Sequence, residues 1–388
     1  MTHRKGARES ATREPQLQRP TAPVRACDFL STSLSLTTMS IPETHHAWRV
    51  VGKGEPSKVL RLDKDVPVPK KLDKGEVLVK VQAAALNPVA YKLMKTAPNF
   101  IAKRPYVPEH DVAGIIVDAN GTGFKEGDQV FGWSPVAIPF KAGTGVLAQY
   151  ARIKAEELVP LPANVTPVQA SGVTLVAMTA YRALFDLGGL QPEQSVFING
   201  GSTAVGAFAI QLAKAVGCKV TASASAKNEE YVRSLGADEF VDYTKAPLHQ
   251  TLASNPPTPK FHVFLEAVGL LDTSLYAHSE AYLAPGGTFI SVGPQPKGFD
   301  VVGLAILAWK VYLQPRFLGG TKRSWKIVQA RAKRADQEQI ATYLAEGKIK
   351  PLVDSVYSFE DALKAYERLM TSRATGKVVI KVDPDVAE

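Results

Sequence analysis

A glycine-rich turn between a β-branched strand and an apolar helix constrains the fold of this chain more than any other feature. The turn occupies residues 199–206, between a strand predicted at Ser195–Ile198 and a helix predicted at Ala204–Val216. Gly201 is expected to make the tight turn, and Gly206 to let the helix pack closely on the strand. The pattern predicts a dinucleotide-binding turn whose N–H groups receive a pyrophosphate. Its predicted contacts are Gly200, Gly201, Ser202, Thr203, Val205 and Gly206.

Strands and helices alternate on both sides of this turn, which favours a parallel, doubly wound sheet. A helix at 168–187 precedes it, and strands at 219–223, 263–267 and 288–292 follow it. The region before residue 166 is instead strand-like and rich in turns, as in an irregular, mostly antiparallel β domain. A closing strand at Lys377–Val382 comes late enough in the chain to return to that first domain.

The length of 388 residues is about twice the usual domain size, so two domains are expected. The formal charge of +9 includes +3 from the first 38 residues. No basic stripe interleaved with aromatic residues accompanies this charge, so nucleic acid is not an expected partner. The longest apolar run, Val301–Trp309, is far shorter than the ~20 residues that a membrane span needs. The sequence therefore predicts no transmembrane segment.

Residues 1–38 form a polar appendage that is rich in Ser, Thr and Arg. One interpretation is an organelle transit peptide, which would send the protein to mitochondria. The other is a dispensable tail or an upstream start, with translation beginning at Met39. The three acidic residues of the segment, Glu9, Glu14 and Asp28, favour the second interpretation and with it a cytoplasmic location.

The end of the second strand of the nucleotide-binding pattern indicates which cofactor is bound. A cofactor with a free ribose 2′-hydroxyl needs an Asp or Glu there. This chain has hydroxyls and a lysine instead, in the stretch Ser225-Ala226-Lys227-Asn228, and no acid before Glu229. A 2′-phosphate suits these groups, so NADPH is the predicted cofactor. The alternative is that Ser225 and Lys227 only cap the next helix.

A series of motifs in fixed order resembles one enzyme family. The motifs are Ala84–Val89, Asp111–Gly114, Gly127–Gly132, Met178–Tyr181, Gly200–Gly206, Ser234–Asp238 and Gly376–Val379. Over residues 45–388 the chain resembles the zinc-independent medium-chain dehydrogenases/reductases, in the quinone oxidoreductase (zeta-crystallin-like) group. It is similar in pattern to chloroplast-envelope quinone oxidoreductase homologues, reticulon-interacting mitochondrial reductases and fungal trans-acting enoyl reductases.

The resemblance implies an α/β fold in which a doubly wound Rossmann domain is inserted in a GroES-like, mostly antiparallel β catalytic domain. The expected boundaries are 39–166 and 321–388 for the catalytic domain and 167–320 for the NADPH-binding domain. NADPH would lie in the cleft between them. The positions that match the family's 2′-phosphate and adenosine contacts are Ser225, Lys227 and Tyr243, and those that border the nicotinamide are Thr179 and Gly293. Asn228 and Val268 are further expected contacts of the cofactor.

Zinc is not expected, although Glu109-His110-Asp111 lies where zinc-dependent relatives have a His-Glu pair. A catalytic zinc needs three protein ligands, usually with cysteine among them in this superfamily. Only Cys27 and Cys218 are present, and neither stands at a ligand position. His110 is therefore interpreted as a structural turn residue.

Without a metal, polarisation of a substrate carbonyl falls to hydrogen-bond donors. The candidates are Asn87, Tyr91 and Lys92, in a segment that relatives usually write Asn-Pro-Val-Asp-Trp-Lys. Here Ala90 replaces the Asp and Tyr91 replaces the Trp. Loss of the Asp either frees Lys92 to reach substrate or marks a weakened active site, and the source of the proton stays open.

Three functions are compatible with these residues. The leading one is an NADPH-dependent reductase of quinones or of the activated C=C of α,β-unsaturated carbonyls, acting on a small lipophilic substrate. The second is an enoyl-thioester reductase of fatty-acid or polyketide synthesis, and the third is an NADPH-binding scaffold without turnover. The apolar stretch Val301–Trp309 is interpreted as a lining for a lipophilic substrate, a homodimer interface or a plain buried helix.

Overall fold

The computed structural model describes residues 40–295, 300–331 and 333–388. The predicted N-terminal extension, residues 1–38, lies outside these ranges together with Cys27 and Met39. Residues Ile41–Glu388 form one unit. It contains a two-stranded, a six-stranded and a seven-stranded sheet.

The six-stranded sheet is parallel and doubly wound, as predicted. Its strands are β8 (Ser195–Asn199), β9 (Lys219–Ala224), β10 (Glu239–Asp242), β11 (Phe261–Glu266), β12 (Leu283–Ser291) and β13 (Ser324–Ile327), in the order β10-β9-β8-β11-β12-β13. The chain builds outward from β8 to β10 and then returns to place β11 on the other side of β8. The strand order therefore reverses between β8 and β11, and ligands of such sheets bind at the carboxyl ends of the strands beside that reversal.

The strands of the parallel sheet are connected by helices α6 (Ala204–Ala215), α7 (Glu229–Ser234), α8 (Leu248–Ser254), α9 (Ser274–Ala277) and α10 (Val301–Ala308). Two helices precede the sheet: α4 (Pro167–Ser171), which packs on the seven-stranded sheet, and α5 (Thr174–Tyr181), which packs on α6. Helix α11 (Arg334–Ala345) follows the sheet and packs on α5. The single helix predicted at 168–187 is in fact α4, α5 and a π-helical turn at Arg182–Leu187. No helix among the described residues is long and apolar enough to cross a membrane.

An aromatic stack on one face of the sheet ties β13 to it. Phe197, Phe264, Phe289 and Trp325 lie on four adjacent strands, with successive ring centroids 4.8, 4.6 and 4.9 Å apart. The predicted nucleotide-binding segment, 167–320, leaves out Ser324–Ile327, although these residues extend the parallel sheet. This strand was missed because its neighbouring residues are polar and basic, as in an exposed loop. The other domain boundaries stay predictions.

The seven-stranded sheet is mostly antiparallel and is built from both ends of the chain. Its strands are β3 (Glu76–Ala85), β4 (Asp111–Asp118), β5 (Gln129–Trp133), β6 (Tyr150–Lys154), β7 (Leu158–Pro160), β14 (Val353–Ser358) and β15 (Lys377–Lys381). As predicted, the closing strand returns to the first sheet, where β15 pairs antiparallel with β3. A separate pair, β1 (Thr44–Val50) and β2 (Leu60–Pro67), precedes it.

Short helices accompany this sheet: α1 (Pro56–Val59), α2 (Pro88–Thr96), α3 (Ala137–Ala142) and α12 (Ala362–Met370). Helix α2 begins at Pro88, because proline suits a first helical position and cannot continue a strand. It carries the predicted catalytic segment directly after β3. The fold class, a doubly wound parallel sheet inserted in a mostly antiparallel β unit, is confirmed.

Candidate active site

The turn after β8 depends on glycines for its backbone conformation and for its packing. Gly200 has a φ of +82°, and a Cβ added there would lie 2.6 Å from Val268 Cγ2. The tight turn is thus made at Gly200, and the prediction that Gly201 makes it is wrong. Gly201 is needed for packing, because a Cβ there would lie 3.1 Å from the Cβ of Ala222.

Thr203, which takes the place of the usual second glycine, caps helix α6. Its Oγ1 accepts the N–H of Gly206 at 3.0 Å and donates to the carbonyl of Gly200 at 2.8 Å. Gly206 must lack a side chain, because a Cβ would lie 2.1 Å from that carbonyl oxygen. Ser202 and Val205 are partly exposed in the same turn. Since the first N–H groups of a helix have no partner within it, this end of α6 can receive a phosphate.

The predicted 2′-phosphate residues lie together at the carboxyl ends of two neighbouring strands. Ser225 follows β9, Tyr243 follows β10, and the Tyr243 N–H donates to Ala224 O at 3.3 Å. Lys227 and Tyr243 are exposed, while Ser225 and Asn228 are partly buried. A cation, a hydroxyl, an amide and an aromatic ring therefore border one surface beside the glycine turn.

The alternative role of Ser225 and Lys227 as helix caps finds no support in the geometry. Ser225 precedes the 3₁₀ turn Ala226–Asn228, and its side chain makes no capping hydrogen bond. Asn228 precedes α7, again without a side-chain cap. The Ser225 hydroxyl instead accepts from Asn228 Nδ2 at 3.4 Å, which leaves the hydroxyl hydrogen available to a ligand.

The remaining predicted cofactor contacts, Val268 and the nicotinamide-bordering Thr179 and Gly293, come from three elements. Val268 and Gly293 follow the neighbouring strands β11 and β12, and Val268 also touches the glycine turn. Gly293 has a φ of +90°, so a side chain there would strain the backbone. Thr179 is buried in α5 and donates its hydroxyl to Leu175 O at 2.7 Å. Its contact with a ligand stays a prediction.

Glu266, which the sequence analysis missed, organises the loops that carry Val268 and Gly293. Its buried carboxylate accepts the N–H groups of Val268 (2.8 Å), Gly269 (3.0 Å) and Leu270 (3.1 Å). It also accepts the hydroxyl of Ser291 at 3.0 Å, and that hydroxyl in turn accepts the Gly293 N–H at 3.1 Å. Burial raises the pKa of Glu266 above its usual value. The sequence feature that could have identified Glu266 is its position as an acid at the end of a largely apolar strand.

Lys92 faces the nucleotide-binding part of the molecule from helix α2. Its amine hydrogen-bonds the side-chain oxygen of Gln295, two residues beyond Gly293. Burial lowers the pKa of Lys92 below its usual value. Tyr91 is half-buried, and Lys95 lies over its ring, 5.3 Å from the centroid. The structure thus brings Lys92 into contact with a loop of the predicted cofactor cleft, whereas Tyr91 packs against the core of the mostly antiparallel sheet.

Asn87 does not fit its predicted role as a donor to substrate. It is buried, and its Nδ2 donates to Ala85 O at 3.1 Å and to Asp111 Oδ2 at 3.1 Å. Its Oδ1 accepts from Lys377 Nζ at 2.6 Å. Since its polar side-chain atoms are all bonded within the protein, we assign Asn87 a positioning role.

The network around Asn87 joins both chain ends to helix α5. Lys377 Nζ also pairs with Asp111 Oδ2 at 2.8 Å, and both side chains are almost fully buried. The other oxygen of Asp111 accepts the N–H of Leu175 at 2.8 Å, in the first turn of α5. This bond places the helix that bears Thr179. A buried pair of this kind is costly to break, because it leaves one uncompensated charge in the interior.

Glu109 adds a second buried carboxyl to this network. Tyr366 donates to its Oε1 at 2.5 Å and the Asn87 N–H to its Oε2 at 3.0 Å. Its backbone is left-handed, with a φ of +71°. Burial raises the pKa of Glu109 to about 8, against the lowering effects of Tyr366 and Lys377.

Replacement of Glu109 by glutamine should flatten the pH dependence of stability. Because the pKa of Glu109 is higher in the folded state than in the unfolded state, its contribution to stability is fully present below the unfolded-state pKa. This contribution is lost as pH rises through the folded-state pKa of about 8. Between pH 5 and pH 8.5 the wild type should lose on the order of a few kcal/mol more than the variant. Urea unfolding at several pH values measures this difference. The exposed Glu126→Gln serves as control, and equal pH slopes for Glu109→Gln and wild type would contradict the assignment.

His110 does not form a zinc site with the residues described. Its Nδ1 lies 3.2 Å from Ser134 O, and its buried Nε2 has no hydrogen-bond partner among the described atoms. Burial lowers the pKa of His110 to about 4, so the ring is neutral. Across the described ranges no group of three or more His, Cys, Asp or Glu residues could hold a metal ion, and Cys218 is buried beside Gln191 O. This donor set does not fit zinc.

The apolar stretch after residue 300 is largely exposed. In α10 only Leu307 is buried, whereas Val302 and Ile306 are 69% and 51% exposed. The interpretation as a plain buried helix is therefore wrong. The two others, a lipophilic lining and a homodimer interface, stay predictions.

Two family models match the chain. The model described as the alcohol dehydrogenase GroES-like domain covers residues 73–163, and that described as zinc-binding dehydrogenase covers 235–380. The first falls on the mostly antiparallel sheet and the second on the later strands of the parallel sheet and the returning chain end.

Relatives align along nearly their whole length. The chain is 34% identical to the trans-enoyl reductase pgmF of Aspergillus terreus, over 89% of this chain and 98% of the relative. It is 31% identical to the chloroplastic quinone-oxidoreductase homolog of Spinacia oleracea, over 87% and 98%. The quinone oxidoreductase structure from Coxiella burnetii superposes with a TM-score of 0.70 at 23% identity, over 87% of this chain and 99% of the other. This structural likeness supports the fold.

The glycine turn at the strand reversal, the returning β15 and these alignments agree with one another. A fold of this kind implies a nicotinamide cofactor. The chain is an oxidoreductase of the medium-chain dehydrogenase/reductase superfamily, which also contains its quinone oxidoreductase and trans-enoyl reductase relatives.

Proposed function

We propose that this oxidoreductase uses NADPH to reduce quinones or the activated C=C of α,β-unsaturated carbonyls, without a metal. The observation that carries the proposal is the position of Lys92. Its amine meets Gln295, on the loop that follows β12, so a cationic donor stands across from the predicted nicotinamide border. The names of the Aspergillus terreus and Spinacia oleracea relatives support the same reaction class.

The preference for NADPH rests on the residues after β9 and β10. Lys227 and the hydroxyl of Ser225 suit a 2′-phosphate, and β9 ends without an acid that would repel it. Asn228 and Tyr243 complete this surface, while the turn Gly200–Gly206 and the first turn of α6 would hold the pyrophosphate. Bound in this cradle, the cofactor supplies a hydride.

The protein's part in the reaction is orientation and charge stabilisation. Reduction of an enone at its β-carbon develops negative charge on the carbonyl oxygen, and a quinone makes a similar demand. The Lys92 amine can donate a hydrogen bond to that oxygen, which is worth up to about 3–4 kcal/mol in a dry, preorganised site. Glu266 fixes the loops that bear Val268 and Gly293, which would contact the bound cofactor. Asn87 and Lys377 hold the carboxylate of Asp111, which accepts the Leu175 N–H in the first turn of α5.

Reduction of enoyl thioesters is the second candidate. The spacing Ser225-Ala226-Lys227-Asn228 resembles that of fungal trans-acting enzymes. Relatives from Aspergillus terreus and Penicillium oxalicum carry the name trans-enoyl reductase, at 34% and 31% identity. A panel of enones, quinones and enoyl thioesters with NADPH separates the two candidates. Turnover of thioesters alone would replace the first candidate by the second.

A further inference from the structure

A hydrogen bond between the side chains of Gln295 and Lys92 joins the two parts of the chain that form the candidate site. The Gln295 side-chain oxygen accepts this bond from the Lys92 amine, 203 residues earlier in the sequence. Lys92 stands on α2, which follows a strand of the mostly antiparallel sheet, whereas Gln295 follows β12 of the parallel sheet. In the described part of the chain no carboxylate lies within ion-pair distance of Lys92.

Hydrogen bonds to the loop that follows β11 hold the backbone of Gln295 in place. The Gln295 N–H donates to Gly269 O at 2.8 Å, and the Gly269 N–H donates to the buried Glu266 carboxylate at 3.0 Å. Gly269 has a φ of +83°, and a Cβ there would lie 2.1 Å from Gln295 Cγ. The absence of a side chain at residue 269 therefore lets Gln295 lie across this loop.

We propose that Gln295 is a positioning residue that holds the Lys92 amine over the cofactor loops, through a chain of hydrogen bonds from Glu266 and Gly269. This inference deepens the proposed function, since it rests on the role proposed there for Lys92. A neutral amide oxygen accepts one of the three ammonium hydrogens and leaves two for a substrate oxygen. It also restricts the flexible lysine stem without neutralising its charge.

The choice of an amide rather than a carboxylate at residue 295 has a chemical consequence. Burial already lowers the pKa of Lys92, and no acid in the described structure opposes this effect. A glutamate at residue 295 would form an ion pair with the amine and raise its pKa. Conversion to alanine would remove the acceptor and release the side chain.

Acylation of lysines in the whole protein, without any substrate, tests the contact. Only the neutral amine reacts, so the labelling rate of Lys92 relative to that of Lys95 reports the pKa and the mobility of the Lys92 side chain. Lys95 is a suitable reference, because it lies on the same helix but pairs with Glu55. Relative to wild type at pH 8.5, we expect Gln295→Ala to speed Lys92 labelling roughly 2- to 5-fold and Gln295→Glu to slow it roughly 10-fold. The exposed Gln250→Ala is the control and should change neither rate.

Kinetics then test the positioning role itself. Gln295→Ala should lower kcat roughly 10-fold and leave the dissociation constant of NADPH, measured by fluorescence, within about 2-fold of wild type. Unchanged Lys92 labelling in both Gln295 variants would overturn the inference, whatever Lys92 does in catalysis. Altered labelling with an unchanged kcat would overturn the positioning role. Failure of the proposed function has a different signature, namely full activity in Lys92→Ala.

Discussion

Conversion of Lys227 to glutamate should reverse the cofactor preference. The wild type is expected to turn over NADPH well ahead of NADH, because we propose that Lys227 and Ser225 bind the 2′-phosphate. The variant replaces an attractive charge by a repulsive one and offers NADH a carboxylate for its ribose hydroxyl. We expect the ratio of kcat/KM for NADPH over NADH to fall roughly 100-fold. Steady-state kinetics with each cofactor and one accepted substrate measure the ratio.

The matched control for Lys227→Glu is Lys125→Glu. Lys125 is exposed in the loop before β5, and the substitution changes the net charge by the same amount. Its cofactor ratio should equal that of the wild type. A ratio that is unchanged in Lys227→Glu would refute the NADPH assignment. A ratio that falls equally in both variants would point to general electrostatics and not to a 2′-phosphate contact.

Removal of the Lys92 amine should have the largest effect on turnover. Lys92→Ala deletes the donor proposed to stabilise the developing oxyanion, which is worth about 3–4 kcal/mol in a preorganised site. This corresponds to a loss of roughly 100- to 1000-fold in kcat on an enone. The dissociation constant of NADPH should change little, because the cofactor cradle is formed by other residues. Lys92→Arg should recover part of the activity, since it keeps the charge but not the geometry.

Lys95→Ala provides the comparison on the same helix. Lys95 contacts the Tyr91 ring and pairs with Glu55, away from Gln295. This variant should retain wild-type kcat. Catalytic efficiency in Lys92→Ala equal to that of the wild type would remove Lys92 from the mechanism and leave the polarising group unassigned.

The glycine turn was predictable because its contacts are local. Thr203, Gly200 and Gly206 bond to one another within a few residues, so the motif itself contains the geometry. The tight turn lies at Gly200 and not at Gly201, one residue from its predicted position, because the sequence alone does not distinguish two adjacent glycines. The doubly wound order also followed from the alternation of strands and helices.

The local sequence could not predict the role of Asn87 or the hydrogen bonds of Glu266 to the neighbouring strand. Asn87 accepts a hydrogen bond from Lys377, 290 residues later in the chain. No local sequence pattern shows that this bond occupies the side-chain oxygen of Asn87. Glu266 stands in the sequence as one acid at the end of an apolar strand, and only the pairing of β11 with β12 brings the hydroxyl of Ser291 to it. The pairing of Lys92 with Gln295 likewise depends on how two sheets meet.

Transfer of deuterium from labelled cofactor distinguishes a reductase of activated C=C bonds from a protein that only binds NADPH. With NADPH deuterated at both C4 positions and a panel of α,β-unsaturated carbonyls, mass spectrometry and NMR of the products locate the label. We expect one deuterium at the β-carbon of the reduced product, and the same product formed far more slowly by Lys92→Ala. Tight NADPH binding with no label in any product and no oxidation by quinones or thioesters would contradict it and identify an NADPH-binding scaffold instead.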